Sequence, residues 1–215
     1  MKHTVIFDLD GTLLDTLEDL KEAVNYALRT RGYTEHTLEE MRRFFGNGIR
    51  YAFQQAEPTL SEEETDALIV LFKEYYGEHS MDRTLPYDGI LPLMQTLAEQ
   101  GYGMAIVSNK VDEAVKALAA HFFGKYVTVA IGNRADIRRK PAPDTVYAAL
   151  HELGVPKEDA VYIGDSEVDL ATARAAGLPC ITVLWGFREK SFLIEQGADI
   201  FAERPEEVPE ILSRL

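Results

Sequence analysis

The sequence predicts an α/β fold: a parallel sheet with helices on both faces and a helical segment inserted near its start. Three observations predict it. Short β-rich apolar runs alternate with segments of helical period, the pattern of a doubly covered parallel sheet. Between the first run and the second lies a stretch with helical patterns only. The chain has 215 residues, 46% hydrophobic and 27% charged, which suits one globular domain carrying an insertion.

The first strand is expected within His3–Leu9, where HTVIFDL ends in carboxylates. The insertion then runs from Thr16 to Asp82. Leu17, Leu20, Val24, Ala27 and Leu28 share one helical face ahead of Gly32, and shorter helices are expected near Leu38–Phe45 and Ile49–Ala56. Ser61 with Glu64 forms a capping box ahead of Ala67, Leu68, Leu71, Phe72 and Tyr75. Residues 16–82 are therefore read as a helical cap domain, and residues 1–15 with 83–215 as the α/β core. An insert placed just past the carboxyl end of a strand is expected over the ligand crevice of such a sheet.

In the core, strands are expected at Gly103–Val107, Val127–Ile131, Ala160–Ile163 and Pro179–Leu184, with Ala198–Phe201 as an edge strand. Helices are expected at Ile90–Gln100, Val111–Phe122, Asp144–Leu153, Val168–Ala176 and Pro205–Leu215, several of them closed by a glycine.

Composition excludes several functions. A net charge of −14 repels nucleic-acid backbones and anionic membrane surfaces, so neither is expected as a partner. The longest uninterrupted apolar run, Ala67–Phe72, falls far short of the ~18 residues a membrane span needs. The first carboxylate arrives at Asp8, too early for the apolar middle of a signal peptide, so a cytoplasmic protein is expected. Cys180 is the only cysteine, which rules out an intramolecular disulfide.

The chemistry gathers at strand ends. Strand periodicity puts Asp8 and Asp10 on one side of the chain, and two close carboxylates need a cation or a proton between them. Asp165 and Asp169, four apart at a helix start, can face one point. Ser108 and Asn109 meet a helix N-terminus, a natural cradle for an anion. Lys140 stands just before Pro141 in a basic run. Taken singly, each has a plainer reading as turn, cap or solvated surface. Together they sit at the ends of consecutive strands, and the oxygen-rich, cysteine-free set suits Mg²⁺.

DLDGTLLDT, VSNK, the KPAP around Lys140 and IGDSEVD resemble, in order, the four motifs of the haloacid dehalogenase-like superfamily of phosphatases. The inserted helices resemble the smaller cap of its phosphoglycolate phosphatase-like branch. The resemblance implies a Rossmann-like strand order 3-2-1-4-5 and a phosphatase that hydrolyses a small phosphate ester through an aspartyl-phosphate. It implies Asp8 as nucleophile, Asp10 as general acid and then base, and Ser108 and Lys140 on the phosphoryl oxygens. Thr12 and Asn109 extend that phosphoryl site. Mg²⁺ is implied on the Asp8 side chain, the Asp10 carbonyl and Asp165, with Asp169 supporting it.

The Gly46-Asn47-Gly48 turn resembles a loop of bacterial phosphoglycolate phosphatases and makes 2-phosphoglycolate the expected substrate. Pyrophosphate, sugar phosphates and nucleotides are the alternatives, with a phosphomutase or a non-catalytic binding module behind them. Arg50, just past the second glycine, is expected either to read the substrate's carboxylate, through paired hydrogen bonds a lysine cannot reproduce, or to pair with nearby glutamates on the surface.

Overall fold

The computed structural model describes residues 3–215, so the first two residues of the span expected as core lie outside the described residues. The chain divides into two compact units, one running up to Leu13 and again from Pro86 to Leu215, the other from Leu14 to Leu85. The expected boundaries fell at residues 15/16 and 82/83.

The first unit is built on β1 (Thr4–Phe7). Two short strands, β2 (Leu14–Asp15) and β3 (Leu85–Pro86), pair where the chain leaves for the insert and returns. At two residues each, they are too short for any hydrophobic period to announce them. The insert holds α1 (Leu17–Thr30), α2 (Leu38–Phe44), α3 (Gly48–Ala56) and α4 (Glu62–His79). The Ser61/Glu64 capping box is present, and a second one, Thr37 with Glu40, starts α2. Leu20, Val24, Ala27 and Leu28 of α1 are buried, as are Leu68, Phe72 and Tyr76 of α4. The Asp19 carboxylate accepts from the backbone N–H groups of Arg83 and Thr84 and from the Thr84 hydroxyl, tying the start of α1 to the end of the insert.

Beyond the insert follow α5 (Ile90–Glu99), β4 (Gly103–Val111), α6 (Asp112–Phe123), β5 (Val129–Asn133), α7 (Asp144–Leu153), β6 (Ala160–Gly164), α8 (Glu167–Ala176), β7 (Cys180–Val183), α9 (Lys190–Glu195), β8 (Phe201–Ala202) and α10 (Val208–Leu212). The six long-range strands form one sheet in the order β5-β4-β1-β6-β7-β8, every pair parallel. This is the expected order with an edge strand added. That edge strand lies at Phe201–Ala202, a little later than the apolar run suggested.

Both faces of the sheet are covered. Ile6, Ala105, Val107, Ile131 and Tyr162 pack with Val146, Ala149 and Leu150 of α7 and Leu170, Ala173 and Ala176 of α8. The alternate residues Val5, Phe7, Ile106, Val161 and Ile163 point the other way and are also buried, as are Ile90, Met94 and Leu97 of α5. No helix among the described residues is long and apolar enough to cross a membrane.

β4 is four residues longer than its apolar run. It continues through Ser108-Asn109-Lys110-Val111, with a register irregularity between Val107 and Val111 before Val111 pairs with Asn133. The expected cradle residues thus ride on a strand end. Their helix, α6, starts after them, at Asp112.

Candidate active site

Parallel strands end side by side, so the loops after β1, β4, β5 and β6 leave from one edge of the sheet. The Asp8 N–H donates to the Ile163 carbonyl at 2.9 Å, extending the β1–β6 ladder by one residue and fixing where its carboxylate emerges. Gly11 follows at φ +85°, and a Cβ there would lie 2.5 Å from Asp165 Oδ2. Only glycine lets the chain turn this close to a second carboxylate.

Lys140 binds the centre together. The residue is 2% exposed, and its ammonium donates to Asp8 Oδ1 at 2.8 Å, to Asp169 Oδ1 at 2.7 Å and to the Tyr162 hydroxyl at 3.1 Å. Tyr162 in turn donates to Asp169 Oδ1 at 2.9 Å. The second Asp169 oxygen accepts from the Ser166 hydroxyl at 2.6 Å and the Ser166 N–H at 3.1 Å, inside the capping box that starts α8. Cap and site are therefore the same residues here: the contact that satisfies a helix end also orients a buried carboxylate. With both oxygens taken, Asp169 aims Lys140 at Asp8.

Asp165 is held separately. Its Oδ2 accepts from the Phe187 N–H at 2.7 Å and its Oδ1 from the Thr12 hydroxyl at 3.3 Å. The loop after β7 reaches it because Gly186 has no side chain: a Cβ there would collide with the Asp165 Cβ and the Gly11 carbonyl. Trp185 Nε1 donates to the Thr12 carbonyl at 2.9 Å, and Arg188 grips Glu167 through two hydrogen bonds of 2.8 and 3.1 Å.

One oxygen from each of Asp8, Asp165 and Asp169 lies within 4.8 Å of the others, all three residues buried. Burial first, and the Asp169 charge next, raise the Asp8 carboxyl well above the usual carboxylate range, against the pull of Lys140. The same two causes push Asp165 up to about 7, against the Phe187 N–H. Burial alone would lower Lys140, but the charges of Asp169 and Asp8 outweigh it and the ammonium is held in its charged form. Three buried carboxylates around one ammonium leave the cluster short of positive charge, and their oxygens could hold a divalent cation.

The remaining expected residues fall as follows. Ser108 is buried, its hydroxyl accepting from the Lys110 N–H at 3.2 Å. Asn109 donates from Nδ2 to the Lys140 carbonyl at 3.2 Å and so holds the lysine loop. Asp10 Oδ1 accepts from Lys110 Nζ at 2.9 Å. Arg50 lies in the insert, its guanidinium bonded to Glu62 at 2.8 Å and also to Asp66. Arg43 pairs with Glu39.

The sequence reading passed over Tyr162, Lys110 and the segment Trp185–Arg188. Tyr162 carries a signal, a hydroxyl within an otherwise apolar central strand, and Gly186 follows the carboxyl end of a fifth strand at the same sheet edge. Lys110 closes the VSNK motif, but nothing in the sequence pairs it with Asp10.

The chain is similar to known proteins. The family model for haloacid dehalogenase-like hydrolases matches residues 5–183. A phosphoglycolate phosphatase of Rhodobacter capsulatus is 35% identical over 88% of this chain and 87% of its own, and one of Aquifex aeolicus is 28% identical over 98% and 96%. A solved structure from Lactobacillus delbrueckii subsp. bulgaricus, provisionally assigned as a phosphoglycolate phosphatase, superimposes with a TM-score of 0.94 at 37% identity, covering 99% of each chain. The chain belongs to the haloacid dehalogenase-like hydrolases, as a phosphatase of the phosphoglycolate phosphatase-like kind.

Proposed function

We propose that the protein is a Mg²⁺-dependent phosphatase that hydrolyses 2-phosphoglycolate through a phosphoryl group carried on Asp8. The observation that carries this reading is the buried Asp8 carboxylate, 2.8 Å from Lys140 and grouped with Asp165 and Asp169. We assign residues 1–15 and 83–215 as the catalytic core and 16–82 as the cap.

The donor set fits the ion: every candidate ligand is oxygen, and the cluster has too little positive charge to ionise fully by itself. Asp8, Asp165 and the Asp10 carbonyl would hold Mg²⁺, while Asp169 keeps its place on Lys140 and Ser166. When bound there, Mg²⁺ supplies the charge that offsets repulsion between Asp8 and a phosphate dianion.

This chain's residues account for the remaining chemistry. Asp8 attacks phosphorus as a carboxylate, a nucleophile that needs no base to activate it. The bond to the ester oxygen breaks as Asp10 gives that oxygen its proton, and the alcohol departs. Asp10, now a carboxylate, takes a proton from the water that attacks the phosphoryl group, releasing inorganic phosphate and restoring Asp8. Lys140, Ser108, Thr12 and Asn109 surround the phosphoryl oxygens, where preorganised charge and donors lower the barrier most. Arg50, the cap residue expected to read the carboxylate, is instead held by Glu62 and Asp66.

Initial rates of phosphate release across a panel of phosphate monoesters, with Mg²⁺ and with excess EDTA, test the reading. The expected result is the highest kcat/KM for 2-phosphoglycolate and loss of activity in EDTA. Preference for a nucleotide, a sugar phosphate or pyrophosphate overturns the substrate; turnover undiminished by EDTA overturns the metal.

A further inference from the structure

We infer that Lys110 is a specificity-determining residue that binds the carboxylate of the substrate, an inference resting on 2-phosphoglycolate being that substrate. The juxtaposition behind it is a part-buried lysine, its side chain 7% exposed, whose Nζ lies 2.9 Å from Asp10 Oδ1. Asp10 must come within a hydrogen bond of the ester oxygen to give it a proton. The ammonium therefore stands within two hydrogen-bond lengths and the width of one carboxyl group, roughly 8 Å at most, of that oxygen. In 2-phosphoglycolate a single methylene separates the ester oxygen from the carboxylate, so the anionic end of the substrate falls within reach of Lys110 Nζ.

The buried Lys140 and the part-buried Lys110 divide the molecule between them. Lys140 spends its hydrogen bonds on Asp8, Asp169 and Tyr162, at the phosphoryl end. Lys110 faces the leaving-group end. If its task were only to orient Asp10, a neutral donor would serve, because a buried ion pair adds little net stability over an uncharged arrangement. What a neutral donor cannot supply is charge for a second anion.

The backbone under Lys110 is fixed in the way a binding group requires. β4 carries it past the apolar run to the register pair Val111–Asn133. Its own N–H donates to Ser108 Oγ at 3.2 Å, and the neighbouring Asp112 accepts from the Gly132 N–H at 2.8 Å. A Cβ on Gly132 would lie 2.7 Å from the Lys110 carbonyl and 2.5 Å from Asp112 Cα, so glycine alone lets β5 brace this segment. Arg50, by contrast, sits in the insert and is held by Glu62 and Asp66.

The test compares 2-phosphoglycolate with its neutral amide, phosphoglycolamide, whose leaving alcohol is similar in size and basicity. The readout is the ratio of kcat/KM for acid over amide in the wild type, Lys110→Gln and Lys110→Met. Glutamine can still donate to Asp10 but carries no charge, so it separates orientation from charge. The expected result is a wild-type preference for the acid that falls by ~10-fold or more in both variants, the scale of one charge-assisted contact, while Lys110→Arg keeps most of it. Turnover of the amide in the same samples shows that the variants are folded. Variants that retain the wild-type ratio, or that lose both substrates equally, overturn the assignment. A wild type that ranks 2-phosphoglycolate below other monoesters overturns the substrate reading itself, and this inference with it.

Discussion

Asp165 shows most directly how burial and charge set the behaviour of one residue. Burial and the neighbouring Asp169 push its carboxyl up to about 7, whereas an unfolded chain leaves an aspartate near ~3.9. Between these values the folded, metal-free protein binds more protons than the unfolded one. The stabilisation is therefore complete below the unfolded value and is lost as pH rises through the folded one. Asp8 is shifted in the same direction. A cation that binds only ionised carboxylates reverses the trend, since it must displace those protons to bind. Thermal melts in EDTA should accordingly show Tm falling from pH 5 to pH 8, and the rise in Tm on adding Mg²⁺ should grow over the same interval. A Mg²⁺ effect that stays constant across that range contradicts the charge shortage assigned to the cluster. The carboxylates themselves were legible in the sequence because they end strands in recognisable spacings. Tyr162 and Lys110 were not, because their significance lies in contacts 7 and 100 positions away along the chain.

At the scale of elements, the site rests on loops that meet only because glycine removes side chains at the crossings. The loop after β7 is the least expected of these, for its run Leu184-Trp185-Gly186-Phe187 reads as the tail of a buried strand. Its contribution is a backbone N–H, from Phe187 to Asp165, and a backbone group leaves no residue type in the sequence to find. Gly186→Ala should force this loop off Asp165, because the added methyl collides with both the aspartate and the Gly11 carbonyl. The expected outcome is a Mg²⁺ requirement raised by ~10-fold or more, the usual scale for losing a group that orients a metal ligand, with a lowered Tm. Unchanged Mg²⁺ dependence, measured by titrating the metal against initial rate, contradicts the role given to the loop. At Ser166 the sequence allows either a helix cap or a candidate site carboxylate, and the capping box there also holds the Asp169 that accepts from Lys140. Strand ends were the least legible elements, since the extension of β4 through Ser108-Asn109-Lys110-Val111 is polar and paired through an irregular register.

For the whole molecule, alternation of apolar runs with helical periods was enough to give the class of fold, because a parallel sheet buried on both faces forces near-continuous apolar strands. Strand order came from resemblance, and the sheet carries it out as β5-β4-β1-β6-β7-β8. That order puts β1 at the centre, between β4 and β6, so Asp8 leaves the sheet with the Ser108 segment on one side and Asp165 on the other. The proposed function requires Asp8 as the atom donor to phosphorus. Asp8→Asn keeps the size of the side chain and its place beside Lys140 but removes the nucleophilic charge, so the fold should survive, as judged by its melting transition. The decisive measurement is the Mg²⁺-supported rate of phosphate release by that variant on the best substrate of the wild type. The account predicts a loss of ~10³-fold or more, the scale seen when a covalent nucleophile is removed; a folded Asp8→Asn protein turning over within a few fold of wild type would contradict it.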